Sequence, residues 1–154
     1  EVLPYKNDDI INAHAMPGAH AALQAVQDAG LRYALFTNPS FPQGAIECRM
    51  GWGDLADAPF ELVTHMGNAT RCKPDATYYL EQLQVMGLEP HEVLMVGNDP
   101  KRDFPSPACG IQTAYVGQGK PSRATWCGTM EDFARDFNAV IEAFYEHQVA
   151  HELS

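Results

Sequence analysis

The sequence predicts an α/β fold, a parallel sheet flanked by helices, from three observations. Short apolar runs of strand length alternate with stretches whose apolar residues recur at helical spacing. Gly, Pro and Asn punctuate the joins between them. Polar and ionisable residues gather where the apolar runs end, the position at which parallel sheets bind their ligands. With 154 residues, 45% of them hydrophobic, the chain has the size and composition of one hydrophobic core.

The elements follow in order. Residues 1–16 are polar, with Pro4, and read as a linker. From Gly18, Ala19, Ala22, Leu23 and Val26 share a helical face that stops at Gly30. Residues 31–36 are apolar and aromatic and end in Thr37-Asn38-Pro39, which predicts a buried strand closed by a turn. A helix is expected over residues 43–55, weakened by Gly51 and Gly53, and a second strand over 61–66. Pro74 and Asp75 open a helix carrying Tyr79, Leu80, Leu83 and Met86 on one face, ended by Gly87. A strand over 93–97 runs straight into Asn98-Asp99, a brief helical stretch covers 106–109, and another strand covers 111–116. After a Gly, Pro and Ser-rich loop, Thr129-x-x-Asp132 has the form of a capping box. The helix it opens shows Phe133, Phe137, Val140, Ile141 and Phe144 on one stripe. Trp52 and Trp126 read as packing residues.

Charge and composition narrow the function. The formal net charge is -10, which opposes a non-specific hold on nucleic acid or an anionic membrane. Part of it lies at the end of the chain, where six acids from Glu131 onward face only Arg135, a net of -5 that suits a solvated helix face. No apolar run approaches the roughly 18 residues that span a bilayer. Cys48, Cys72, Cys109 and Cys127 lack C-x-x-C or Cys/His spacing, so they read as free thiols in a reducing compartment, and the expected location is cytoplasmic.

Three strand ends carry chemistry: Thr37 and Asn38 after one strand, Lys73 after another, Asp99 and Asp103 after a third. A hydroxyl, an amide, an ammonium and two carboxylates at one crevice suit a phosphoryl group and Mg²⁺: donors and the cation hold phosphoryl oxygens, and hard carboxylate oxygens hold the metal. Each element alone has a plainer reading. Thr37 and Asn38 serve equally as turn residues, Lys73 as an exposed loop lysine, and Asp99 as a helix cap. His65, near the end of its strand, is read first as a hydrogen-bonded structural histidine, and Arg71 as a surface arginine.

Leu35-Phe36-Thr37-Asn38, Cys72-Lys73-Pro74 and Val96-Gly97-Asn98-Asp99-Pro100-Lys101-Arg102-Asp103 together resemble motifs II, III and IV of the haloacid dehalogenase-type (HAD) hydrolases, in the family's order. His14-Ala15-Met16-Pro17-Gly18-Ala19 is similar to the point where such chains re-enter the core from a cap domain, and the likeness extends from about Met16 to Val116. The resemblance implies a Rossmann-like core over 17–147, a linker or end of a cap over 1–16, and a tail over 148–154. It further implies that Thr37 and Asn38 bind the transferring phosphoryl group, that Lys73 offsets its charge and takes part in catalysis with Thr37, and that Asp99 and Asp103 anchor Mg²⁺.

The family's nucleophile is the first aspartate of an Asp-x-Asp motif after the first strand, and no such motif occurs here. Asp8-Asp9 follows the polar Tyr5-Lys6-Asn7 and is adjacent rather than spaced. In family topology the first strand is central, between the 31–36 and 93–97 strands, so its absence would leave two facing rows of unpaired backbone groups. The expectation is therefore the carboxy-terminal part of a Mg²⁺-dependent phosphatase of a small phosphorylated metabolite. Its partner is a missing amino-terminal segment bearing the nucleophile and cap, and this chain alone is inactive. The alternative is a non-catalytic HAD-like module that binds phosphate and metal. A receiver-like or nucleotide-binding domain ranks below both, because neither Gly-x-Gly-x-x-Gly nor a P-loop motif is present.

Overall fold

A computed structural model of the chain describes residues 16–154. The linker before Met16 and the pair Asp8-Asp9 lie outside the described residues. The elements are α1 (Ala19–Asp28), α2 (Gln43–Trp52), α3 (Ala76–Met86), β1 (Leu94–Gly97), β2 (Gln112–Val116), β3 (Trp126–Gly128), α4 (Met130–Arg135) and α5 (Phe137–Glu152), with single 3₁₀ turns at Pro90–Glu92 and Pro107–Cys109. Strands β1, β2 and β3 form one parallel sheet in that order, with Leu94 opposite Gln112 and Ala114 opposite Trp126.

Alternation along the strands splits the core into two halves. On one face Ala22 of α1, Ala114 and Val116 of β2, Phe133 of α4, and Phe137 and Val140 of α5 form one cluster, joined by Leu94 and Val96. On the other, Tyr78, Tyr79 and Leu83 of α3 pack with Ile111, Phe36, Val93 and Met95. The sheet is thus covered on both faces, as the alternation of elements predicts.

Local signals account for the helix ends. The Asp75 side chain caps α3 by accepting from the Thr77 amide, and Gly87 closes it in the left-handed region. Thr129 and Asp132 exchange side-chain and backbone bonds at 3.1 and 2.9 Å, a complete capping box. Gly18 starts α1 at φ 85, and a Cβ there would come within 2.6 Å of the Glu131 nitrogen, so the α1 and α4 starts touch because position 18 has no side chain.

Four expectations are corrected. The segments 31–36 and 61–66 are not full strands: they meet at one parallel bridge, Leu35 with Val63, extended by bonds from Leu35 N to Leu62 O and from Glu61 N to Tyr33 O. All these bonds use one side of the first segment, and among the described residues the backbone groups of Ala34 and Phe36, which point the other way, have no backbone partner. The buried face of α3 is Tyr78, Tyr79, Gln82 and Leu83, whereas Leu80 is exposed; a polar Gln82 on the inner face hides the true register. The last helix divides at Asp136, whose ψ of 13 turns the chain and whose carboxylate takes the Arg135 guanidinium. Strand β3 had no advance signal, since three residues are too few for a visible alternation.

Candidate functional site

The carboxyl end of β1 carries the most closely bonded part of the site. Asp99 O accepts from the Asp103 amide at 2.7 Å, closing one helical turn that returns Asp103 beneath the strand end. Asp103 Oδ2 accepts from the amides of Asn98 and Asp99 at 3.0 and 2.9 Å, and its Oδ1 accepts from Lys73 Nζ at 2.5 Å. Both side chains of that ion pair are about nine-tenths buried, with 9 and 12% exposed. Gly97 makes this approach possible: a Cβ there would lie 2.5 Å from Asp103 Cβ. The four-residue spacing of the two aspartates is thereby explained, since one turn brings Asp103 back under two strand-end amides.

Asp99 differs. Its Oδ1 accepts from the amides of Lys101 and Arg102, while Oδ2 is 3.7 Å from Arg102 Nε and the side chain is 43% exposed. It is the more open carboxylate of the two.

The other half of the site comes from the 35–38 segment. Thr37 Oγ1 donates to Thr64 O at 2.8 Å, and the Thr37 amide donates to Thr64 Oγ1 at 2.7 Å. Asn38 Oδ1 accepts from the Lys73 amide at 3.0 Å, which ties this strand end to the lysine loop. Lys73 therefore touches both halves: through its backbone to Asn38 and through its ammonium to Asp103. The Lys73-Pro74 peptide bond is cis.

Sequence reasoning missed the groups that hold this arrangement. Tyr78 Oη donates to Thr37 O at 2.6 Å and lies 2.9 Å from Thr64 Oγ1, and Tyr79 Oη donates to Asp103 O. Both tyrosines are fully buried. Arg123, from the loop before β3, donates to the carbonyls of Phe104 and Pro105 at 3.1 and 2.6 Å. The only signal was a pair of aromatics five and six residues after Lys73; a lone arginine in a Gly/Pro/Ser loop gave none. His65 lies in a local turn, its amide donating to Asn68 Oδ1 and its Nδ1 accepting from the Gly67 amide, and Arg71 is exposed.

Burial raises both phenol pKa values well above the ordinary tyrosine range, and the Asp103 carboxylate adds to the rise at each. Unfolding exposes phenols that ionise near pH 10, so the unfolded state loses these protons first. Stability from this source is constant below about pH 10 and falls as pH rises beyond it. In urea melts the wild-type midpoint should drop between about pH 10 and 11, and the Y78F/Y79F double variant should show a shallower drop. Equal slopes in the two proteins would contradict the assignment.

A cavity of about 220 Å³ adjoins the ion pair at Lys73, Gly97, Asn98 and Asp103; it is lined by Phe36 and Met95 on one side and by Met16, Val96, Met130 and Val116 of β2 on the other, so it also reaches over the carboxyl end of the sheet. Met95 and Val96 belong to the clusters on opposite faces of the sheet. A space touching both lies along the strand's edge rather than on one face. That edge is the one β2 leaves free, and across it stands Phe36, in the segment whose outward backbone groups lack backbone partners among the described residues.

Mg²⁺ takes octahedral oxygen ligands and is commonly held by one or two carboxylates completed by phosphate and water. Among the described residues no three His, Cys, Asp or Glu side chains converge as a ready-made metal cage. The donor set fits that partial mode: Asp99 offers an open oxygen, with Asp103 adjacent. No helix among the described residues is long and apolar enough to cross a membrane.

This constellation, on the carboxyl ends of a parallel sheet, has its counterpart in sequence. The chain belongs to the haloacid dehalogenase-like hydrolases, whose family profile matches residues 3–109. It is 30% identical over 115 residues to a phosphoglycolate phosphatase of Rhodospirillum rubrum, a match that covers 75% of this chain and 46% of that protein. The chain thus spans about half the length of that curated relative. Its fold is similar to that of a β-phosphoglucomutase from Clostridium difficile, with a TM-score of 0.72 and 17% identity over 95% of this chain and 63% of that one. It is also similar to a HAD family hydrolase from Deinococcus radiodurans solved with bound phosphate and sodium, with a TM-score of 0.64 and 20% identity over 84% and 60% of the two chains.

Proposed function

We propose that this chain supplies the phosphate- and Mg²⁺-binding part of a phosphatase that hydrolyses a small phosphorylated metabolite through an aspartyl-phosphate. The nucleophile comes from a strand that is not among residues 16–154. The observation that carries the reading is the edge cavity: it lies between two strand edges that have no backbone partner among the described residues, and it ends at Lys73 and Asp103. An apolar strand there, ending in a carboxylate, would bring that carboxylate to the lysine.

Lys73 then neutralises the incoming phosphoryl group and the nucleophile together, and its ammonium exchanges part of its bond with Asp103 for a phosphoryl oxygen. On the opposite side the Thr37 hydroxyl would exchange its bond to the Thr64 carbonyl for a phosphoryl oxygen, with the Asn38 backbone amide as a second donor. Asp99, with Asp103 acting directly or through water, holds the metal. Bound Mg²⁺ supplies charge neutralisation at the phosphoryl oxygens. The similarity to a phosphoglycolate phosphatase supports phosphoryl chemistry over dehalogenation, and Cys72, Cys109 and Cys127, none of them in a disulfide among the described residues, suit a reducing cytoplasm.

The test is turnover of p-nitrophenyl phosphate with and without Mg²⁺, by the chain alone and by the chain preceded by an apolar strand ending in Asp-x-Asp. The expected result is no turnover by the chain alone and Mg²⁺-dependent turnover by the extended protein. Efficient hydrolysis by the chain alone would sink the external nucleophile. An extended protein that binds phosphate but stays inert would favour the non-catalytic module.

A further inference from the structure

Three loops must keep a fixed spacing for this site to work: the Thr37-Asn38 strand end, the Lys73 loop and the Asp99-to-Asp103 turn. They come from three separate parts of the chain, and among the described residues the Lys73–Asp103 pair is the side-chain to side-chain bond that joins two of them. The first turn of α3 reaches the two that flank it. Tyr78 Oη bonds the Thr37 carbonyl, and Tyr79 Oη bonds the Asp103 carbonyl. The helix carrying them begins three residues after Lys73.

We infer that Tyr78 and Tyr79 are positioning residues with divided duties: Tyr78 sets the strand end that binds the phosphoryl group, and Tyr79 sets the turn that binds the metal. Burial makes the division strict. Each ring is fully enclosed, so a carbonyl that loses its phenol finds no water in exchange. The Asp103 carbonyl then keeps no donor among the described residues. The Thr37 carbonyl keeps only the Thr64 hydroxyl at 3.0 Å, which the Leu35 carbonyl also draws on, so its loop must shift toward that remaining donor. The rings also pack edge to face against each other at 5.1 Å, and Phe36, next to Thr37, packs on both at 5.8 and 6.3 Å. The aromatic cluster holds the helix in place whether or not the hydroxyls are present. Removing one hydroxyl should therefore loosen one loop and spare the other.

Phenylalanine variants of the whole chain test this, because each keeps its ring and loses only the donor. Amide hydrogen exchange reports the loops without any ligand: the Asn98 and Asp99 amides are held by Asp103, and the Thr37 amide by Thr64. Y79F is expected to speed exchange at Asn98 and Asp99 about tenfold while leaving Thr37 within about twofold, and Y78F to do the reverse. Placing 4-aminophenylalanine at either position restores a donor and should restore protection, which also serves if a phenylalanine variant folds poorly. Acceleration of both sets of amides by either variant, in proportion to lost global stability, would overturn the inference.

The consequence for binding rests on the phosphatase reading. Y79F should weaken Mn²⁺, used as a paramagnetic stand-in for Mg²⁺, about tenfold with inorganic phosphate little changed, and Y78F should do the opposite. A wild-type chain that binds neither probe would overturn that reading, while the exchange pattern still decides the inference.

Discussion

Asp103→Ala is expected to lower the unfolding free energy by about 3–5 kcal/mol, because it leaves a buried ammonium and two strand-end amides without their acceptor. The Lys73 side chain is only 9% exposed and its charge is met at 2.5 Å. Without that partner the lysine must either leave its enclosure or carry an uncompensated charge. The Asn98 and Asp99 amides lose the oxygen that holds them. In a chain of this size the loss corresponds to a melting temperature lower by about 10 °C. Asp103→Asn keeps one acceptor oxygen but no charge, so it should fall between wild type and alanine. A loss under about 1 kcal/mol for the alanine variant would mean the pair behaves like an exposed salt bridge.

Gly97→Ala is expected to cost about 3 kcal/mol, an effect of steric overlap. The added Cβ would sit 2.5 Å from Asp103 Cβ and 2.8 Å from Oδ2. Asp103 Cβ is fixed to the backbone, so rotamer adjustment gives no relief, and the whole Asp99-to-Asp103 turn must shift. The same substitution at Gly51, near the end of α2 with nothing within 4 Å of its Cβ position, should instead stabilise by about 0.5 kcal/mol through helix propensity. The opposite signs, read side by side in urea melts, separate a glycine required by close approach from one that is merely tolerated. A neutral Gly97→Ala would show that the clasp under β1 is looser than described.

How far the sequence reveals this molecule depends on the physics behind each feature. Strands β1 and β2 and helices α1 and α3 carry apolar periods with glycine or proline boundaries, and they lie where the pattern puts them. The candidate site residues stood out because buried apolar strands rarely end in a carboxylate or a lysine without reason. The α3 face was misread because Gln82, 1% exposed, breaks the apolar pattern while its amide donates to Asn68 O. The 31–36 and 61–66 segments looked like ordinary strands, but a strand's regularity depends on its neighbours, and the first is paired on one side only among the described residues. The tyrosine and Arg123 bonds to carbonyls were invisible because backbone acceptors leave no mark in sequence.

Thr37, Asn38, Lys73, Asp99 and Asp103 are proposed to act together on one phosphate and one metal ion. This joint action is tested most directly by calorimetric titration of the chain with inorganic phosphate, with and without Mg²⁺, in wild type and in Lys73→Ala. The expected result is saturable binding that Mg²⁺ strengthens and that the alanine variant loses. Phosphate binding indifferent to both Mg²⁺ and Lys73, or no binding at all, would contradict it.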